Sequence, residues 1–191
     1  MTSIPQPRVL VLAGPNGAGK TTVSRALIRD QFGIRNFVNA DTIAQGLAGF
    51  SPDAAAIAAG RLMLRQLEAL SDARADFAFE TTLASRSFAP WLARLRKKGY
   101  QALLVFLWLP SPELSIQRVR TRVAAGGHHV PADTIRRRFA RGIVNFHRLY
   151  LPVADRWWCY DNSLTEARLV ASGEAGNVRV VDQETWQQVS R

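Results

Sequence analysis

The chain has 191 residues, of which 47% are hydrophobic, and its 25 Lys and Arg residues against 15 Asp and Glu residues give a net charge of +10. This length and composition predict one globular domain over residues 1–191. The single cysteine, Cys159, excludes an internal disulfide and a cysteine-based metal site, and no apolar stretch reaches the roughly 20 residues that cross a bilayer. We therefore expect a cytoplasmic protein without membrane association, whose charge attracts polyanions such as nucleotides, nucleic acid, anionic sugars or an acidic partner.

Short aliphatic and β-branched runs alternate with amphipathic segments along the chain. The predicted elements, in chain order, are a strand at 8–13, a helix at 19–30, a strand at 36–40, a helix at 52–70, a strand at 76–80, a helix at 86–98, a strand at 101–109, helices at 112–125 and 131–149, a strand at 157–160, and a closing hairpin with strands at 169–171 and 178–181. Ser51-Pro52 and Ser111-Pro112 each pair an N-cap serine with proline at the first helical position. This alternation predicts an α/β domain with a mostly parallel five-stranded sheet, helices on both faces and a C-terminal hairpin.

The loop between the first predicted strand and helix carries the pattern G-x-x-x-x-G-K-[ST], which cradles phosphates in nucleoside triphosphatases and kinases. Its glycines let backbone N–H groups point at phosphate oxygens, Lys20 brings positive charge to the terminal phosphates, and Thr21 offers a hydroxyl to Mg²⁺. The predicted nucleotide-binding residues of this loop are Gly14, Pro15, Asn16, Gly17, Ala18, Gly19, Lys20, Thr21 and Thr22. The glycines do not fit G-x-G-x-x-G, which disfavours a dinucleotide-binding fold, and the alternative is a glycine turn beside a surface lysine.

One acidic side chain follows a predicted strand and another ends one, at the edge where ligands of open α/β sheets bind. Asp41 is the candidate that accepts a proton from an attacking hydroxyl, and the alternative is an N-cap for the segment after it. Glu80 is the candidate that assists Mg²⁺, with Thr82 beside it for substrate groups, and the alternative is an acid paired with an arginine.

Residues 112–150 contain two arginine-rich helices that are predicted to form a lid over the phosphates. Arg118 and Arg122 are four residues apart and share one helix face, which favours contact with the γ-phosphate over a solvated basic face. The run Arg136–Arg138 follows on the second helix, and its first arginine is expected in solvent. The histidines between the helices, including His128, are expected to stabilise the connection rather than to bind metal.

With these residues placed, the chain resembles the zeta-toxin family of P-loop kinases. The segments that carry the resemblance are 14–22, 39–42, 79–82, 118–131 and 160–163. The combination of the phosphate-binding loop with Asn-Ala-Asp-Thr at 39–42 and Phe-Glu-Thr-Thr at 79–82 is more specific than the loop alone. The resemblance spans about residues 8–163 and implies the three-layer sandwich of P-loop kinases.

The resemblance also implies an activity: a kinase that uses ATP or GTP with Mg²⁺ to phosphorylate a sugar hydroxyl, with UDP-N-acetylglucosamine as the acceptor of the family's best-studied members. The implied roles are base for Asp41, phosphate-loop lysine for Lys20, Mg²⁺ ligand for Thr21, metal and substrate contacts for Glu80 and Thr82, γ-phosphate contact for Arg118, and nucleobase contact for Asn162. The family's second lid arginine aligns with His128, so that Arg122 or Arg138 is expected to take its role, with His128 and Arg138 near the substrate. An antitoxin partner is implied by the family alone.

Two alternatives stay open from the sequence. The net charge of +10 and the Arg136–Arg138 run fit a nucleotide-dependent nucleic-acid binder, which the lack of interleaved aromatic and basic residues disfavours. The same kinase machinery also suits a polynucleotide end or an aminoglycoside-like acceptor. The missing guanine-specific N-K-x-D motif favours ATP over GTP.

Overall fold

The computed structural model describes residues 6–47, 52–127 and 129–190. Its strands are β1 (Arg8–Ala13), β2 (Asn36–Val38), β3 (Phe77–Thr81), β4 (Gln101–Trp108), β5 (Arg156–Asp161), β6 (Arg168–Glu174) and β7 (Asn177–Val180). Its helices are α1 (Lys20–Ser24), α2 (Ala40–Leu47), α3 (Pro52–Asp72), α4 (Phe88–Lys97), α5 (Pro112–Ala124), α6 (Ala132–Asn145) and α7 (Gln183–Val189). Helix α1 continues as a π-helical segment at Arg25–Gln31, and α6 continues through a π-helical turn at Phe146–Tyr150 and a 3₁₀ turn at Leu151–Val153. No described helix has the length and apolar character needed to traverse a bilayer.

Within the described ranges, the strands form one sheet in the order β2-β3-β1-β4-β5-β6-β7. The pairs from β2 to β5 are parallel, whereas β5–β6 and β6–β7 are antiparallel. At the end of the central strand β1, Ala13 is paired with Thr81 of β3 and Phe106 of β4. Because parallel strands end at the same edge of a sheet, the loop after β1 emerges beside the end of β3.

The core consists of an apolar layer on each face of the sheet, because successive side chains of a strand point to opposite faces. Val9 and Val11 of β1 pack on one face, in a cluster with residues of α3 and α4. Leu10 and Leu12 pack on the other face, in a cluster with Ile28 of the π-helical segment. A small separate cluster between α5 and α6 contains Ile116, Val119, Val130 and Ile135.

The predicted α/β architecture, with a mostly parallel sheet and helices on both faces, is confirmed. The predicted number of five sheet strands beside a hairpin is wrong, because β6 pairs directly with β5 and extends the same sheet to β7. The sequence patterns also do not predict α2 and α7. Helix α2 begins at Ala40, where the second strand was expected to end, and α7 packs on the sheet through Trp186, which stacks on Trp157 at 5.5 Å. The predicted N-cap Ser51 lies outside the described residues.

Candidate functional site

A cleft of about 520 Å³ lies at the carboxyl ends of β1 and β3. The predicted site residues that line it are Asn16, Gly17, Gly19, Lys20, Thr21, Thr22, Asp41, Glu80, Thr82, Arg118, Arg122 and Arg138. Three further loop residues, Gly14, Pro15 and Ala18, are buried beneath it. Asn162 contacts the loop through Ala18, and His128 lies outside the described residues.

The backbone path of the phosphate-binding loop depends on its glycines, as Gly17 and Gly19 show. Gly17 and Gly19 have φ angles of +75° and +81°, in the left-handed region. A Cβ on Gly17 would lie 2.9 Å from the carbonyl oxygen of Ser115 in α5, and a Cβ on Gly19 would lie 2.7 Å from Nδ2 of Asn162. Glycine therefore permits the turn and also lets α5 and Asn162 approach the loop.

Lys20 places a buried positive charge at the base of the cleft. Its side chain is buried, and Nζ donates hydrogen bonds to the carbonyl oxygens of Gly14 and Pro15, each at 2.9 Å. Nζ also lies 3.7 Å from Oε1 of Glu80. Burial lowers the pKa of Lys20, and the negative charge of Glu80 opposes this shift. A cation held in this partly dry environment attracts an anion more strongly than it would in water.

Glu80, near the end of β3, contacts both the loop and the segment after β2. Its Oε2 accepts hydrogen bonds from Nδ2 of Asn39 at 2.9 Å and from Oγ1 of Thr21 at 3.3 Å. Burial raises the pKa of Glu80, and the neighbouring Lys20 ammonium lowers it. Within the described part of the chain, the cation that pairs with Glu80 is thus Lys20. Thr21 and Glu80, the two predicted metal-binding residues, thus place two side-chain oxygen atoms 3.3 Å apart.

Asp41 occupies the first turn of α2, and Asn39 is the residue that caps this helix. Oδ1 of Asn39 accepts hydrogen bonds from the backbone N–H groups of Asp41 at 2.8 Å and Thr42 at 3.3 Å. The alternative of Asp41 as an N-cap is therefore wrong. Its side chain is exposed and lines the cleft. Sequence reasoning missed the role of Asn39, although asparagine is among the preferred N-cap residues.

Arg118 links α5 to the segment that follows β5. Its Nη1 and Nη2 donate to the carbonyl oxygens of Asn162 and Ser163, both at 2.7 Å. Asn162 in turn donates from Nδ2 to the carbonyl oxygen of Ala18, also at 2.7 Å. Arg118 therefore holds a residue that contacts the phosphate-binding loop, and its expected contact with a γ-phosphate stays a prediction.

Two further arginines of the predicted lid reach the cleft, Arg122 from α5 and Arg138 from α6. Arg136 faces outward, as expected, and pairs with Glu113 at 3.6 Å and Asp133 at 3.3 Å. The run of three arginines on α6 is therefore divided between the surface and the cleft.

The loop after β3, residues 82–85, forms one wall of the cleft and is held from behind by α6 and the turn that continues it. Asn145, which is buried, donates from Nδ2 to the carbonyl oxygen of Leu83 at 2.7 Å. Tyr150 donates from its hydroxyl to the carbonyl oxygen of Ser85 at 2.6 Å. Burial raises the pKa of Tyr150, so that its hydroxyl keeps the proton that it donates. Helix α6 and the turn that continues it, which belong to the predicted lid, thus support the loop after β3.

The family AAA_33, described as AAA domain, matches residues 9–148 of the chain. An uncharacterized protein of Haemophilus influenzae is 25% identical to the chain over 134 residues, which cover 70% of this chain and 94% of that protein.

Solved structures share the fold over nearly the whole chain. The AvrRxo1-ORF1:-ORF2 complex with ATP gives a TM-score of 0.80 at 19% identity and covers 97% of this chain. The PezAT chromosomal toxin–antitoxin system of Streptococcus pneumoniae gives 0.72 at 21% identity and covers 98%. The chain spans 64% of the matched AvrRxo1 chain and 79% of the matched PezAT chain. At these identities the likeness shows a common fold, and it is the fold that the zeta-toxin resemblance implies.

Proposed function

The chain belongs to the AAA_33 family of AAA domains, matched over residues 9–148, and from this premise we propose that it is an ATP- and Mg²⁺-dependent phosphotransferase of the zeta-toxin type. It transfers the γ-phosphate of the nucleotide to a hydroxyl group of a small molecule. The observation that carries the proposal is that one cleft brings together the exposed carboxylate of Asp41 and the buried ammonium of Lys20 in its phosphate-binding loop.

Each charged group of the cleft has a task in this reaction. Asp41 makes no side-chain hydrogen bond or ion pair with the described residues, so its carboxylate can accept the proton of an attacking hydroxyl. Bound Mg·ATP supplies the phosphoryl group and the charge of the metal. Lys20, Arg122 and Arg138 line the cleft and bring positive charge to the transferred group.

The residues of the cleft fit a Mg²⁺ ion that arrives with the nucleotide. Mg²⁺ prefers octahedral oxygen coordination and usually keeps several waters. Within residues 6–47, 52–127 and 129–190, no group of three or more His, Cys, Asp and Glu side chains could hold a metal by itself. The Thr21 hydroxyl and the Glu80 carboxylate, 3.3 Å apart, supply two oxygen ligands, and phosphate oxygens and water supply the others.

The proposed acceptor is a nucleotide sugar, with UDP-N-acetylglucosamine as the first candidate. Thr82 offers a hydroxyl and Arg138 a positive charge to such an anionic molecule on the side of the cleft formed by β3 and α6. AvrRxo1-ORF1 was solved in a complex with ORF2, and PezAT is a toxin–antitoxin system. We extend this to a protein partner of the antitoxin kind for this chain.

Substitution of Asp41 by asparagine tests the proposal, because Asp41→Asn removes the proton acceptor with little change in size. Wild type and variant are incubated with Mg·ATP and a panel of nucleotide sugars, nucleosides, aminoglycosides and 5′-hydroxyl RNA, and mass spectrometry detects added phosphate. We expect transfer to fall by about 100-fold or more, while the affinity for Mg·ATP, measured by calorimetry, changes by less than about threefold.

Asp30→Asn is the matched control, because Asp30 is an exposed aspartate of the π-helical segment and pairs only with its neighbour Arg29 among the described residues. This variant should keep wild-type transfer. Transfer at the wild-type rate in Asp41→Asn would contradict the role of Asp41, and a wild-type protein that binds no Mg·ATP would contradict the proposal as a whole.

Nucleotide-dependent nucleic-acid binding keeps the support of the net charge of +10. The division of the arginine run on α6 between the surface and the cleft argues against a continuous basic face. RNA binding that falls steeply with salt, without phosphate transfer to any acceptor, would favour this second function.

A further inference from the structure

Asn39 uses both ends of its side-chain amide: one end contacts the carboxylate of Glu80, and the other contacts the backbone of the helical turn that carries Asp41. The residue is 6% exposed and lies between β2 and α2. Its Nδ2 donates to Oε2 of Glu80 at 2.9 Å. Its Oδ1 accepts from the backbone N–H of Asp41 at 2.8 Å and, through the N–H of Thr42 at 3.3 Å, caps α2.

These partners determine the orientation of the amide. An amide oxygen only accepts hydrogen bonds, and an amide NH₂ group only donates them. In the opposite orientation, the oxygen would face the Glu80 carboxylate and the NH₂ group would face the backbone N–H groups of α2, so that every one of these contacts would be lost. Asparagine supplies the two functions at one position, whereas aspartate and serine supply only the cap.

The sheet brings Asn39 and Glu80 together. Val38 at the end of β2 is paired with Phe79 of β3, so that the next residue of each strand emerges at the same edge. Three side chains in the described part of the chain contact the Glu80 carboxylate. Lys20 and Thr21 belong to the phosphate-binding loop, and Asn39 belongs to the segment that carries Asp41.

We propose that Asn39 is a positioning residue that sets the placement of the two carboxylates of the site relative to each other. It holds Glu80 through Nδ2–H and determines through Oδ1 where α2, and with it Asp41, begins. The inference rests on the proposed function, because it assigns the two carboxylates to metal assistance and proton acceptance. A shift of about 1 Å in either group reduces transfer strongly, because catalysis of phosphoryl transfer depends on alignment.

Two substitutions separate the contact with Glu80 from the capping of α2. Asn39→Ser keeps an oxygen that caps the helix and removes the donor to Glu80. Asn39→Asp keeps a good cap and places a second carboxylate against Glu80, where like charges repel. We expect kcat to fall by about 10–100-fold in Asn39→Ser and further in Asn39→Asp. The KM for ATP should change by less than about threefold, since the phosphate-binding loop is intact.

Asn36→Ala is the matched control at the other end of β2. Asn36 is exposed, and its Nδ2 also donates a hydrogen bond, to the carbonyl oxygen of Asp76 at 2.8 Å. This variant loses an amide contact of the same strand at a place remote from the cleft, and it should keep wild-type kcat. Urea unfolding of each variant shows that the fold is retained.

A nitrogen–proton NMR spectrum of the nucleotide-free protein tests the contact without any activity. The side-chain NH₂ signal of Asn39, identified by its loss in Asn39→Ser, should shift when Glu80→Gln removes the charge that it faces. A signal that does not move, or a kcat within twofold of wild type in both Asn39 variants, would overturn the inference.

The two readouts also separate the inference from the proposed function. If Glu80→Gln shifts the Asn39 signal but the wild-type protein transfers no phosphate, the proposed function would be overturned and the Asn39–Glu80 contact would be supported. Transfer without a shift would overturn the role of Asn39 and leave the proposed function in place.

Discussion

The substitution Gly142→Ala tests how closely α6 packs against the loop that follows β3. Gly142 lies inside α6, where alanine normally stabilises a helix by about 1 kcal/mol relative to glycine. Here a Cβ would lie 2.6 Å from the carbonyl oxygen of Thr82, a backbone atom that cannot rotate away. Ordinary contact begins at 3.4 Å, so that α6 and the loop would have to separate by about 0.8 Å, the difference between the two distances.

The expected cost follows from this overlap. Overpacking in a close-packed region costs about 1–3 kcal/mol, which exceeds the gain from helix propensity of about 1 kcal/mol. After the gain from helix propensity is subtracted, we expect the free energy of unfolding to fall by up to about 2 kcal/mol. The separation also moves Thr82 and Arg138 relative to Lys20, so that phosphate transfer should fall by about tenfold or more.

Urea unfolding and transfer assays of the same preparations measure both effects. Gly60→Ala is the matched control, because Gly60 lies inside α3 and a Cβ there would meet no described atom within 4 Å beyond its chain neighbours and the backbone of its own helix. This control should gain about 0.5–1 kcal/mol and keep its activity. A Gly142→Ala protein that is as stable as Gly60→Ala would refute the close approach of α6 to Thr82.

Two further predictions concern the packing behind the site. Phe146 is fully buried and stacks on Phe106 with the two ring centroids 4.3 Å apart. Phe146→Ala should therefore lower the free energy of unfolding, measured in urea, by about 3–5 kcal/mol. A loss below about 1 kcal/mol would contradict this packing. Burial lowers the pKa of His147, against the hydrogen bond to the Val189 carbonyl that raises it. The His147 imidazole therefore takes up a proton more readily in the unfolded chain than in the folded protein. The free energy of unfolding is highest above the ordinary histidine pKa of 6.5 and decreases as the pH falls below that value. His147→Gln should unfold with a weaker pH dependence between about pH 7.5 and 5.5, and an unchanged dependence would exclude His147 as its source.

The order of the strands and of the helices other than α2 and α7 could be predicted, because these elements depend on local chemistry. The loop pattern places the end of β1 and the start of α1, and Ser111 caps α5 as predicted, with Oγ accepting from the N–H of Leu114 at 3.2 Å. The continuation of the sheet into β6 and β7 was missed although β5, β6 and β7 follow one another closely in the chain. Alternating apolar residues show where a strand lies but not which strand it pairs with. Helix α2 could have been recognised from Asn39, but the short strand before it obscured the start of the helix.

In the candidate site, too, sequence patterns predict some features and the fold determines the others. Sequence patterns brought Lys20, Thr21 and Glu80 into one hypothesis, and the structure places them in contact. The patterns did not show which partner each charged group takes. Arg118 donates to two backbone carbonyls, and because every residue has a carbonyl, no residue type marks such a partner. The partners of a long cationic side chain therefore depend on the fold more than on its own sequence context.

Hydrogen bonds with the rest of the protein hold the backbone of the phosphate-binding loop in place. The backbone N–H of Gly14 donates to the carbonyl oxygen of Thr81 at 3.3 Å. Nδ2 of Asn162 donates to the carbonyl oxygen of Ala18 in the loop at 2.7 Å. Binding therefore orders few backbone groups, and the entropy loss that weakens binding to a flexible loop is small. In the proposed reaction, the Lys20 ammonium is the group that changes partners. It gives up its hydrogen bonds to the carbonyl oxygens of Gly14 and Pro15 and donates to phosphate oxygens instead. This exchange is favourable, because a charged phosphate oxygen accepts a stronger hydrogen bond than a neutral carbonyl.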